Sequence, residues 1–496
     1  MNTYLLDDWS TDQKPRNRVR RQYDDERVMS TLAVAAVCYF SVSGGPIGSE
    51  SIFGAGGPAV GLLTLIVFPF VWCIPTALVT AELSTAFPEN GTAILNRSFN
   101  LLHPHRSLAG GYTVWVYHAF GPFWAFQEGF WAWLSTAIDN ALYPSLAVQC
   151  ISKCVPTIAT SWTPAAIWLA KVLVTCVFAV PNLLGVQLVG QGAMLLSLVV
   201  TLPFIVFTVW GFVVGGISHH NWSILTDVRL DPATGNLAVD WSLLLSTVFW
   251  NCNGFASVST FAGEVVNPGT TFPRALALTL IAIVLTYTFP LAAGAMLDAP
   301  SWHLWHEGSF NDMAHSLGGG NIMLGFVTVA TLASNWGQFS SDMFCASYQL
   351  TGMADMGLAP AVFSMRTAPP AHVPYASLAL SFMVVVVLTA FDFTAVLVMG
   401  NVVSALSQVL LLAAAIQLRL RKPHLPRPYR VPGNAACMAA ISVMPVVVLG
   451  YLISTTLNNV AAICVVVTTI LMGLVYSWAM HLTPLRTTLP ATKILS

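Results

Sequence analysis

Along most of this chain charged positions are missing altogether rather than spaced in a pattern. Stretches free of Asp, Glu, Lys and Arg cover 28–49, 58–81, 188–226, 241–263, 275–297, 316–341 and 433–484, each long enough to cross about 30 Å of hydrocarbon at least once. The last of them divides at Asn458–Asn459. Three more stretches, 123–152, 165–184 and 371–418, hold one charge or two and also read as spans, the third as a pair. The pattern predicts about twelve transmembrane helices. Irregular backbone cannot face lipid, so they form one bundle, an all-α membrane protein.

Two spans carry glycine and polar residues at mid-depth, Ser43-Gly44-Gly45-Pro46 in helix one and Asn251-Cys252-Asn253-Gly254 in helix six. Unwound backbone at that depth is tolerated only around a cavity. Singly, either cluster also suits close helix packing. Together, in corresponding places of two halves, they predict discontinuous helices 1 and 6 in a transporter made of two five-helix inverted repeats, with the binding site between the breaks. The division expected is a cytoplasmic disordered tail over 1–28, helices one to five over 29–215, an extracellular loop over 216–241, helices six to ten over 242–420, a basic cytoplasmic loop over 421–436, helices eleven and twelve over 437–482, and a cytoplasmic tail over 483–496.

Composition agrees with lipid as the solvent: 56% of residues are apolar, 8% are charged, and the mean hydropathy is +0.71, which excludes an ordinary soluble domain. A net charge of −1 says nothing about nucleic acid, and no nucleic-acid partner is expected. The placement of basic residues does set a topology, because Lys and Arg favour the cytoplasmic side. With the N-terminus inside and twelve spans, all but Lys153, Lys171 and Arg229 of the 20 Lys and Arg fall on cytoplasmic segments. Both termini are therefore expected in the cytoplasm, and the plasma membrane is the expected location. The polar first thirty residues lack a cleavage site and read as a tail, not a signal peptide. No metal-ligand spacing, nucleophile motif or phosphate loop is present, so an enzyme and a cofactor are not expected; Gly318-Gly319-Gly320 follows no strand and carries no lysine.

Eight short segments, in order, resemble the amino acid, polyamine and organocation transporter superfamily, and within it the polyamine transporters of plants and kinetoplastid protozoa. They are Ser43-Gly-Gly-Pro-Ile-Gly-Ser-Glu50, Phe68-Pro-Phe through Ala81-Glu82-Leu83, Phe87-Pro-Glu-Asn-Gly91, Gly121-Pro-Phe-Trp124, Ile138-Asp-Asn-Ala-Leu-Tyr-Pro144, Val258-Ser-Thr-Phe-Ala-Gly-Glu264, Leu350-Thr-Gly-Met353 and Arg427-Pro-Tyr-Arg-Val-Pro432. The resemblance implies a LeuT-type fold, alternating access and proton-driven polyamine uptake. Two features depart from it. Residues 92–110 form an apparent cytoplasmic insertion, and Phe255-Ala256-Ser257 stands where many relatives carry an acid.

A carboxylate inside a bundle is costly and by default faces a cavity. Glu50 lies one turn beyond Pro46. Pro46 removes one of the N–H donors that a substrate carboxylate would use at the break, and Glu50 adds like charge there. This combination favours a small organic cation without a carboxylate. Asp139 and Tyr143 sit one turn apart in helix three, where the alternative is a packing hydrogen bond through Asp139 and Asn140. The resemblance places Asp342 and Trp336 on helix eight, a cavity-side helix, with Asp342 as an amine ligand. Trp250 and Phe255 flank the second break, and aromatic faces attract alkylammonium groups by about 2 kcal/mol once water is excluded. Asn251, Asn253 and Asn401 are hydrogen-bond acceptors for amines or, each taken alone, contacts between helices.

Ser43, Gly44 and Gly45 complete the expected substrate site. Glu50, Asp342 and Glu264 are the candidate proton carriers, Glu264 equally suiting a solvated helix end. Sodium is the alternative coupling ion, for which Ser340 and Ser341 offer hydroxyl oxygens. Two other readings stay open: a permease for lysine, arginine or ornithine, and a non-transporting nutrient sensor.

Overall fold

The computed structural model describes residues 27–87, 111–154, 161–216, 219–317, 320–367, 373–456 and 460–480. The tail before residue 27, the insertion 92–110, the division at Asn458–Asn459 and the tail 483–496 lie outside the described residues. Within them the chain is helical; two isolated bridges, Met29 with Val265 and Leu230 with Leu237, are the only β pairing.

The first helix, α1 (Thr31–Val42), starts at Ser30, whose hydroxyl accepts from the Ala33 N–H at 3.3 Å. It stops at the first predicted break, and a short α2 (Ser51–Gly56) follows. The next span runs as α3 (Pro58–Phe68), one π-helical turn over Pro69–Cys73 and α4 (Ile74–Ala86). Beyond the insertion comes α5 (Gly111–Phe120), which the apolar pattern did not single out.

Helix three differs from the single span expected over 123–152. It divides into α6 (Pro122–Asp139) and α7 (Leu142–Cys154). The cause is Pro144, which has no N–H to return to the Asn140 carbonyl four residues back. Asp139 therefore ends a helix instead of lying inside one. Then follow α8 (Pro164–Leu184), α9 (Val186–Gly215) and α10 (His219–Ile224). Helix six is α11 (Trp241–Cys252), capped by the Asp240 carboxylate on the Leu243 N–H at 3.0 Å; after the second break it resumes as a 3-10 segment, Ser257–Glu264. The rest is α12 (Pro268–Leu297), α13 (Ser309–Ser316), α14 (Gly320–Asp355), α15 (Tyr375–Leu388), α16 (Phe393–Arg421), α17 (Ala435–Thr456) and α18 (Val460–Ala479). Among the described residues, seven helices are long and apolar enough to cross a membrane. The interrupted helices α1–α2, α6–α7 and α11 fall outside that count because no uninterrupted piece combines the length with the apolarity, and α14 because of its polar residues.

At the first break the backbone polar groups find local partners, as they must away from water. The N–H groups of Ser43 and Gly44 share the Tyr39 carbonyl at 2.8 and 3.0 Å. The Gly45 N–H reaches the Ser43 hydroxyl at 3.2 Å, and Gln338 of α14 donates to the Ser43 carbonyl at 2.7 Å. The two breaks also touch each other. The Asn251 amide lies 3.4 Å from the Gly48 carbonyl, and Gly254, at a φ of 121°, backs directly onto the Ser41 carbonyl. A side chain at 254 would be strained and would strike that oxygen. Gly254→Ala is expected to cost about 1–3 kcal/mol, read as a lower melting temperature of the purified protein; an unchanged melting temperature would show that the breaks can separate freely.

Candidate substrate cavity

The broken ends of α1, α6 and α11 converge on one cavity with about 630 Å³ of unfilled space, counting its mouth. Ser41 and Val42 come from the last turn of α1, Thr136 and Asp139 from that of α6, and Trp250 and Asn251 from that of α11. Helix C-termini carry partial negative charge from unpaired carbonyls, so three of them facing one space favour a cation there. A single 3-10 start at Ala256 and Ser257 opposes them.

Two carboxylates strengthen the same preference. Asp342 of α14 is buried, and its Oδ2 accepts from the Tyr143 hydroxyl at 2.7 Å. Asp139 lines the cavity with its Oδ1 buried and without a hydrogen-bond partner. Among the described residues no Lys, Arg or His forms an ion pair with either. The packing hydrogen bond through Asp139 and Asn140 that the sequence left open is not formed, since both side-chain atoms of Asn140 also lack partners. Gly400 of α16 presses on Asp139 so closely that a methyl group at 400 would collide with the carboxylate.

Trp250 seals one end. Its ring stacks on Tyr143 with centroids 6.4 Å apart, meets Phe393 edge-on at 5.9 Å, and packs over Gly48. Asn253 forms part of the floor, donating to the Ser404 hydroxyl at 2.7 Å and accepting from Gln408 at 3.4 Å. Past that floor the N–H groups of Val28 and Met29 bond the Glu264 carbonyl at 3.1 and 2.9 Å, tying the start of α1 to the end of helix six.

Six of the residues expected at the site line this cavity: Asp139, Tyr143, Trp250, Asn251, Asn253 and Asp342. The others lie elsewhere. Ser43, Gly44 and Gly45 build the first break but sit behind Gln338 and Val200. Glu50, fully buried, turns away from the cavity; it accepts from the N–H groups of Gly48 at 2.7 Å, Gly308 at 3.0 Å and Phe310 at 3.4 Å. Sequence position puts Glu50 beside the break but cannot reveal that donors more than 250 residues away claim it. Phe255 is buried in the core, and Trp336 stacks on Phe178 with centroids 6.0 Å apart. Asn401 makes a helix-to-helix contact, donating to the Ser246 carbonyl at 3.1 Å. Glu264 marks the far closure and not the cavity wall. Of the hydroxyls considered for sodium, Ser340 donates to the Phe178 carbonyl at 3.2 Å, and neither it nor Ser341 lines the cavity.

Sequence reading missed a polar stripe on α16, where Ser404, Ser407 and Gln408 line the cavity with Leu411. Their three- and four-residue spacing on an otherwise apolar helix was the available signal.

A family model described as amino acid permease matches residues 105–476. The polyamine transporter RMV1 of Arabidopsis thaliana is 33% identical over 462 residues, covering 93% of this chain and 87% of the relative. The polyamine transporter PUT1 of Oryza sativa subsp. japonica is 36% identical over 442 residues, covering 88% of this chain and 76% of the relative. A more distant match, the uncharacterized transporter lpg1691 of Legionella pneumophila, is 26% identical over 391 residues, covering 74% of this chain and 77% of the relative.

The chain belongs to the amino acid permease family.

This permease is thus an integral membrane protein and a transporter rather than an enzyme. The family match begins at residue 105, so the first break lies outside it; the longer alignment to the Arabidopsis relative covers more of the chain.

Proposed function

We propose that this permease takes up polyamines of the putrescine and spermidine class by alternating access, driven by protons. The observation that carries the reading is a cavity holding Asp139 and Asp342, neither paired with a cation among the described residues, beneath the stacked rings of Trp250 and Tyr143. Buried carboxylates need a counter-charge, and an alkyl diamine supplies two ammonium groups joined by methylenes that suit aromatic walls. Relatives named polyamine transporters support the same substrate.

Exclusion of amino acids has a more specific basis than like charge alone. A substrate carboxylate would seek N–H groups at the first break, and there Gly45 is held by Ser43, Gly48 by Glu50, and Pro46 has none. Glu50 itself takes up the Gly48 N–H. Seven long spans, together with the interrupted helices one, three and six, the polar α14 and the short α15, make twelve, which we read as a LeuT-type pair of five-helix repeats followed by two further helices. With both termini in the cytoplasm and the protein in the plasma membrane, Trp250 lies toward the outside, and a dication entering a negative interior gains roughly 4 to 5 kcal/mol per 100 mV. Asp139 and Asp342 are the proposed amine ligands, and Asp342 the proposed group exchanging a proton for substrate.

Proteoliposomes separate this from the cationic amino acid reading. Saturable uptake of radiolabelled putrescine and spermidine is expected, increased several-fold by an inward proton gradient and resistant to excess arginine. Arginine exchange with no polyamine uptake would reverse the assignment.

A further inference from the structure

A third carboxylate stands in line with the cavity without forming part of its wall. Glu128 of α6 is fully buried, one turn beyond Ala132, which does line the cavity. Its Oε1 accepts from the Ser407 hydroxyl at 3.0 Å and its Oε2 from the Thr113 hydroxyl at 3.0 Å. Ser407 is itself a cavity residue, so only one hydroxyl separates the carboxylate from the space. No Lys, Arg or His among the described residues pairs with Glu128. Beside it Gln349, also fully buried, donates to Thr113 at 2.5 Å while its carbonyl oxygen has no donor at all. This corner therefore has an excess of acceptors, and the missing complement is a donor carrying positive charge.

Position along α6 gives the complement a length. Glu128 and Asp139 lie on nearly the same face, about three turns apart, which is about 16 Å along the helix axis. A spermidine-type triamine has nine bonds between its end nitrogens and spans about 11 Å when extended. A charge-assisted contact of about 2.8 Å at each end brings that to about 16 Å. A four-carbon diamine, with five bonds, spans about 6 Å and reaches one end only.

We propose that Glu128, approached past Ser407, is a distal ammonium site that gives the cavity its preference for a triamine over a diamine. The inference rests on the polyamine reading above. A triamine places one end ammonium at Asp139 and the other at Glu128, with its middle amine serving Asp342, and at Glu128 it takes over the acceptors now held by the two hydroxyls. Three buried carboxylates then meet three cations.

The test compares kcat/KM for spermidine and putrescine in proteoliposomes of the full chain carrying Glu128→Gln or Glu128→Asp. The Gln variant, nearly the same shape without the charge, is expected to lower the spermidine-to-putrescine ratio about tenfold. The Asp variant, shorter but charged, is expected to keep more of the preference. An unchanged ratio in the Gln variant, or an Asp variant less selective than the Gln one, overturns the site and leaves the polyamine assignment standing. A wild-type protein that carries neither amine overturns both. If the Gln variant fails to insert, the wild type and Asp variant decide by whether an added excess of spermidine raises their melting temperatures more than putrescine does; equal shifts count against the proposal.

Discussion

Replacing Asp342 by Asn is expected to reduce polyamine uptake about 100-fold, the effect of losing one member of a buried charge pair worth about 3 kcal/mol. The shape of the side chain is kept while its charge and its exchangeable proton are lost, so the loss measures the ionisable group and not its packing. Tyr143→Phe removes the 2.7 Å hydrogen bond to Asp342 and should cost nearer tenfold. The two act through one group, so the double variant should be little worse than Asp342→Asn. Initial rates in proteoliposomes, normalised to inserted protein, decide the matter. A fully active Asp342→Asn variant would remove Asp342 from the site.

The largest effect on stability is expected at Glu82, at the end of α4. Its carboxylate, with no exposed surface, accepts from Arg419 through both Nε, at 2.9 Å, and Nη2, and from the Val431 N–H at 2.8 Å. The Nε of Arg427 stands 3.0 Å away as an ion-pair neighbour without an aligned hydrogen bond. One acid thus joins the end of α4, the end of α16 and the loop before α17. Glu82→Ala leaves two nearly buried guanidinium groups facing each other and should destabilise the protein by about 3–5 kcal/mol. Thermal unfolding in detergent measures this, and a melting temperature equal to wild type would refute the account.

Much of this arrangement was legible in the residues. Charge-free length announced the helices, and the Gly-Gly-Pro and Asn-Cys-Asn-Gly clusters announced two interruptions, because lipid forbids such sequence elsewhere. The third interruption left a quieter sign. Pro144 removes one donor, and its consequence falls four residues earlier at Asn140, beside the acid that matters. What could not be read was direction. Asp342 and Trp336 share α14, yet Asp342 faces the cavity while Trp336 stacks on Phe178 of α8. That outcome depends on which neighbours surround the helix, a property of the assembled bundle. Glu128 was legible only as one more acid inside a span; its surroundings were not, since Thr113 and Ser407 are brought to it by other helices.

The unexpected engagement of Glu50 carries a mechanical implication. By gripping Gly48 on one side and Gly308 and Phe310 on the other, with Ser51 bonded to Glu307 at 2.7 Å alongside, it welds the half-helix Ser51–Gly56 to the plug-like α13. Unfastening them would leave a buried carboxyl without its donors, whereas moving them together keeps those bonds made. Under the proposed alternating access, these two segments are expected to move as one piece, with the pivot outside the contacts that join them.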